Sequence, residues 1–137
     1  MSIDLKDFYG ISVYHLGGII VSSEMRGCGF SKEILEKDIS ECKSEILAFH
    51  TQSVLMESLG KKLSTPNIGL EISIAKYIDS KNITLLADGP IDKGRYGGKS
   101  LYGNVEKFQY LAIKRIGFDF KNGDAIIFAG FVKKNDI

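Results

Sequence analysis

Cysteine is scarce in this chain: Cys28 and Cys42 are the two in 137 residues. Two thiols exclude a disulfide framework, and their spacing matches neither a zinc ligand set nor a redox motif. Histidine is as scarce, with His15 and His50 alone. They form no His-x-x-x-His pair and stand near no compact carboxylate set, which argues against zinc. No apolar run approaches the length of a membrane span, and the opening MSIDLKDFYG lacks the apolar segment of a signal peptide. Net charge is also small, at +1, too little for a dedicated nucleic-acid binder. These absences predict a cytoplasmic protein with reduced thiols, no metal, no cofactor and no membrane partner.

What is present is a globular composition, 44% apolar and 26% charged. A chain of this length buries roughly two-thirds of its unfolded surface, enough for a core without disulfides or metals. With no compositional break, residues 1–137 are expected to form a single α+β domain. The charge is unevenly distributed. Residues 1–60 carry nine acids and five Lys/Arg, net −4, while residues 61–137 carry eight acids and thirteen Lys/Arg, net +5. If the fold keeps the halves apart, the surface is dipolar and steers a charged partner.

Phe8 to Tyr14 and Gly18 to Met25 read as a hairpin of β-branched and aromatic residues around His15-Leu16-Gly17-Gly18. Ser31 is a good N-cap for one long helix, with Glu33 in its first turn. Its apolar stripe is Leu35, Ile39, Cys42, Ile46, Phe49 and Met56, flanked by Leu55, Leu59 and Leu63. Gly60-Lys61-Lys62 suits its end, and Phe49-His50-Thr51 invites a bend. Beyond Pro66 the alternation of Ile68, Leu70, Ile72 and Ile74 predicts a half-buried strand. Asp79-Ser80-Lys81-Asn82 is turn chemistry, and Ile83 to Ala87 follows as the hairpin partner. A strand is expected over Phe108 to Phe120, then a hairpin at Asn122-Gly123. The last strand, Ala125 to Val132, is apolar at nearly every position, which places it centrally with both faces buried. The expected architecture is therefore α+β, with a mainly antiparallel sheet of about six strands. Its order is β-β-α-β-β-loop-β-β, with one long helix packed on a face.

The stretch Asp88 to Lys107 stands apart, with five glycines, Lys93, Arg95 and Lys99 within seven positions, and Tyr96 and Tyr102. A long loop in a compact domain is usually functional or disordered. Arg and Tyr combine area, rigidity and directed hydrogen bonds, the qualities of interface anchors. Lys93, Arg95, Tyr96, Lys99 and Tyr102 are therefore expected to contact a partner. Stacking tyrosines with cations would also suit single-stranded nucleic acid. Gly98-Lys99-Ser100 has the tail of a phosphate loop, but Lys93 occupies the place of the first glycine and a turn follows instead of a helix. Asp88 and Asp92, with Gly89 and Gly94, miss the ligand pattern of a calcium loop. The helix face bearing Glu33, Glu36, Asp38, Glu41 and Glu45 is acidic, and Glu41 and Glu45 are expected to dock on a basic protein surface. Cys28, between glycines and beside Arg26, could be activated if His15 approached.

No catalytic constellation is complete. The residues point to a non-enzymatic protein that binds another protein, concretely an immunity or antitoxin-type inhibitor that occludes the active or substrate-binding site of a bacterial toxin. The alternative is a small enzyme or ligand-binding domain. It would act on a phosphorylated metabolite or nucleotide through the 93–102 loop, or through Cys28 with His15.

Overall fold

The computed structural model describes residues 2–18, 30–75, 77, 82–86, 88–100 and 112–134. The strands are β1 (Ser2–Phe8), β2 (Ile11–Gly18), β3 (Ile46–Thr51), β4 (Ser64–Pro66), β5 (Ile83–Leu86), β6 (Gly89–Asp92) and β7 (Ala125–Val132). The helices are α1 (Phe30–Cys42), α2 (Val54–Leu63) and α3 (Ile68–Ile74). The protein is α+β. The seven strands among the described residues form one sheet in the order β1-β2-β3-β7-β6-β5, with β4 also paired to β7. β4 and β6 share one edge of β7, β4 at its C-terminal end and β6 at its N-terminal end.

The sheet is mixed, where a mainly antiparallel one was expected. β2 and β3 run parallel, with Val13 beside Ile46 and Leu16 beside Phe49. A parallel pair needs a crossover, and α1 supplies it. The expected single helix is instead α1, β3 and α2, and α3 is a third helix. Among the described residues the order β-β-α-β-β-loop-β-β becomes β-β-α-β-α-β-α-β-β-β. The helix begun near Ser31 stops at Cys42. Lys43, in the left-handed region at φ 54°, starts the reversal. Its amide bonds to Ser40 O at 3.1 Å, and the Ser44 amide bonds to Ile39 O at 3.3 Å. That is a Schellman closure with lysine where glycine is usual, so the stop carried no glycine signal. Ile46 to Thr51 then forms β3, buried at nearly every position. A β-branched and aromatic run gains more from burial on both faces of a sheet than from one helical stripe.

α2 restarts at Ser53, whose Oγ accepts from the amides of Leu55 (3.2 Å) and Met56 (3.4 Å). α3 replaces the strand expected at 68–75. Asn67 caps it, Oδ1 accepting from Leu70 N at 2.9 Å. The alternation was ambiguous, because Leu70 and Ile74 are also one helical turn apart.

The first hairpin lies earlier than expected. β1 and β2 meet through Tyr9-Gly10, with φ of 51° and 82°, the two left-handed residues of a type I′ turn. Of the strand expected from Gly18 to Met25, residues 19–25 lie outside the described set, and Gly18 is the last residue of β2. β5 pairs with β6 rather than with residues 68–75, so the first part of the expected long loop is a buried strand. Of the strand expected at 108–120, residues 108–111 lie outside the described set. Ala112 makes one isolated bridge to Ser53, and the rest is irregular. Gly123 belongs to a turn closed by its amide on Phe120 O at 3.1 Å, not to a hairpin between paired strands. β7 is central, as its composition implied, between β3 and the β4/β6 edge.

One sheet face is covered by α1 and α2, where Leu35, Ile39 and Leu63 pack on Tyr14, Leu16, Leu47, Phe49 and Phe128. The other is covered by α3, where Ile74 and Ala75 pack on Val13, Ile46, Ala48, Ile127 and Ala129. A smaller cluster of Ile91, Ile113 and Ile126 closes the β6 end.

Candidate functional site

The glycine-rich stretch is docked through one buried carboxylate. Asp124 is fully buried and accepts from Lys93 Nζ (2.5 Å), Gly94 N (2.8 Å), Asn122 Nδ2 (2.9 Å) and Asp119 N (2.9 Å). Burial pushes its pKa up, but the bonds from Lys93, Gly94, Asn122 and Asp119 outweigh that and hold it below the usual aspartate value. Lys93 Nζ also donates to Gly117 O at 2.7 Å. Tyr96 N donates to Gly123 O at 3.1 Å. Gly123, at φ +79°, lies so close under the stretch that a Cβ there would stand 2.3 Å from Lys99 O. Residues 93–100 therefore form a fixed surface element on the turn 119–124.

Arg95 leads from that element into a polar cluster. On β3 and β7, Ala48, Ile127 and Ala129 face α3. Alternation puts His50, Ala125 and Ala125's partner Asp92 on the same side. His15, two residues from Val13 on β2, joins them. His50 Nε2 lies 3.5 Å and Arg95 Nη1 3.6 Å from Asp92 Oδ2. The two histidine rings meet edge-on with centroids 6.1 Å apart. Asp92 is 1% exposed, and its Oδ1 accepts from Asn82 N at 3.0 Å. Burial, then the Arg95 guanidinium, then the His15 ring push the His50 pKa down to about 3. Imidazole beside Asp92 is therefore neutral, and Arg95 is the cation that balances the carboxylate. The cluster gathers His15 and Arg95, two residues singled out separately in the sequence. His50 and Asp92 were not recognised as partners, because the sequence pattern put His50 in a helix and Asp92 in a loop, and no local spacing links them.

The remaining expected residues lie elsewhere. Tyr96 is half-buried and Lys99 exposed, while Tyr102 lies outside the described residues, as does Cys28. Glu41 and Glu45 are exposed at the C-terminal end of α1 and just beyond it. α1 covers the face opposite α3, so these acids and the Arg95 cluster lie on different sides of the sheet. Asp38, on the same helix, accepts from the Tyr14 hydroxyl, and Lys32 pairs with Glu36 at 3.3 Å. Among the described residues, no group of three or more His, Cys, Asp or Glu is placed to hold a metal. Nor is any described helix long and apolar enough to cross a membrane.

An apolar surface shares the α3 side. Helical geometry turns Leu70 and Ile74 inward and leaves Ile68 and Ile72 outside, 49% and 42% exposed. On the edge strand β5, Ile83 and Leu85 pair with Asp92 and Pro90 and so face the same way. They are 39% and 61% exposed. Half of the apolar set that would have lain under a strand thus stands at the surface of a helix.

No protein-family model, curated protein or solved structure matches this chain. The fold and the site define an α+β protein with a mixed sheet, and the geometry alone carries its functional reading.

Proposed function

We propose that this protein acts by binding another protein, concretely as an immunity or antitoxin-type inhibitor that occludes the active or substrate-binding site of a bacterial toxin. The observation that carries this reading is the exposure of Ile68, Ile72, Ile83 and Leu85 on one side of the sheet. Large apolar side chains left exposed on the same side of a sheet suit an interaction site. Lys99, exposed on the docked glycine element, adds a charged contact, and Glu41 and Glu45, on the opposite side of the sheet, contribute to steering through the long-range field. Affinity capture from the native host tests it. A retained protein lost with Leu85→Asp and Ile72→Asp, but kept with Lys32→Ser, is expected; no retained protein would sink the reading.

A second reading is a small enzyme or ligand-binding domain for a phosphorylated metabolite or nucleotide. It draws on the convergence of His15, His50, Asp92 and Arg95 at one end of the sheet. A thermal-shift panel of such metabolites separates the two. Stabilisation by a ligand, abolished in Arg95→Gln, favours the second reading; a flat panel counts against it.

A further inference from the structure

One edge of β7 has a gap in its strand pairing. β4 ends where Pro66 meets Gly130, and β6 begins where Ile91 meets Ile126. On this edge Ala129 pairs with no strand among the described residues. Its carbonyl accepts from Asn67 N at 3.2 Å, and its N–H donates to Glu71 Oε2 at 3.2 Å. A helix side chain thus takes the place of the missing rung. Glu71 is 8% exposed. Its other oxygen lies against Gly89, where a Cβ would come within 3.2 Å and where φ is +124°. Glycine there leaves room for the carboxyl group.

The groups facing Glu71 are of both signs. α2 brings Glu57 and Lys61, and the segment after Ala112 brings Arg115. The Arg115 guanidinium pairs with Glu57 and donates to Asp88 O at 3.0 Å. β7 offers only the Ala129 amide, since residues 125–132 carry no titratable side chain. On β6, Asp92 turns to His50 and Arg95. Two of Arg115's donor groups are thus already engaged, by Glu57 and by Asp88 O, when Glu71 ionises.

We infer that Glu71 is a pH-sensitive latch fastening α3 to the gap in β7, closed when the carboxyl is protonated and loosened when it ionises. The latch rests on the proposed binding surface for its biological meaning, because α3 carries Ile68 and Ile72. Burial raises the Glu71 pKa to about 7, against the opposing pull of the Ala129 N–H and of Arg115. An opening that exposes the carboxyl releases one proton, so its equilibrium constant grows about tenfold per pH unit from about pH 5 to 7 and levels off above.

The test uses the full chain labelled with carbon-13 at the glutamate carboxyls. The Glu71 resonance and the exchange protection of the Ala129 amide are followed from pH 5 to 8.5. A Glu71 midpoint near neutrality is expected, with Ala129 protection falling about tenfold per unit up to pH 7. Glu71→Gln should flatten the protection profile, and Arg115→Gln should move the Glu71 midpoint upward by removing a facing cation. A Glu71 carboxyl that titrates in the ordinary carboxylate range overturns the latch. So does an Ala129 profile unchanged in Glu71→Gln. Partner capture at pH 6 and pH 8 then tests the surface separately: a latch that titrates while capture ignores pH leaves the latch standing and removes α3 from the interface.

Discussion

Phe49 and Phe128, cross-strand partners on β3 and β7, stack with centroids 4.6 Å apart and planes 9° apart, and Gly60 rests on both. A Cβ on Gly60 would come within 2.8 Å of each ring tip. The missing side chain at this point of α2 is what lets the helix approach the sheet.

Gly60→Ala therefore opposes two effects. Alanine gains about 0.5–1 kcal/mol of helix propensity, while overpacking a filled core costs about 1–3 kcal/mol. The rings are buried and stacked on each other, so overpacking is expected to win. A net loss of about 1–2 kcal/mol is expected, read from the urea midpoint at unchanged m-value. A gain in stability would show that the rings repack.

Gly123→Ala strikes backbone, not a ring tip, since its Cβ would meet Lys99 O at 2.3 Å and its φ is +79°. The glycine element must lift from the turn 119–124. Faster tryptic cleavage after Arg95 and Lys99 is expected, with a loss of roughly 2–4 kcal/mol from overpacking and backbone strain together. Unchanged cleavage would mean that the element is not held as described.

Asp124 anchors the same element, and its sign with pH follows from its lowered pKa. Its contribution is present above the ordinary aspartate value and is lost as pH falls through the lower folded value. Asp124→Asn should cost on the order of 2–4 kcal/mol at pH 7 and should soften the acid limb of the unfolding curve. An equally steep acid limb in the variant would assign that limb to other carboxylates.

His50 and Glu71 bias stability in opposite directions. Unfolded histidine binds a proton near pH 6.5, but folded His50 does so only near pH 3, so stability falls as pH drops across that window. Folded Glu71 keeps its proton up to about pH 7 while the unfolded carboxyl loses it near 4.5, so stability rises as pH drops from 7 to 4.5. Each slope is at most about 1.4 kcal/mol per pH unit. Between pH 4.5 and 6.5 these two contributions cancel. His50→Gln should make the protein gain stability on acidification there, and Glu71→Gln should make it lose stability. Parallel profiles for the two variants would show that neither group is perturbed as stated.

The α+β class was legible in residues 1–137 because the helical stripe after Ser31 and several β-branched runs each carry their own period. So was the central place of β7: its nearly all-apolar run is buried from Ala125 to Gly130, and only Phe131 and Val132 at its end emerge. The polar cluster was half legible. Arg95 and His15 attract notice as scarce or strongly functional side chains, whereas His50 was expected to sit at a kink in a helix and Asp92 in a loop.

By itself, the sequence determined which segments are apolar and that the fold mixes helix with sheet. Tertiary structure alone decided that Ile46–Thr51 is a strand and Ile68–Ile74 a helix. A short apolar run fits both periods, and the choice falls to whichever neighbour buries it better. The same applies to the meeting of His50, Asp92 and Arg95. Their proximity comes from strand order and register, and those follow from the global packing of β3, β7 and β6 rather than from any local spacing.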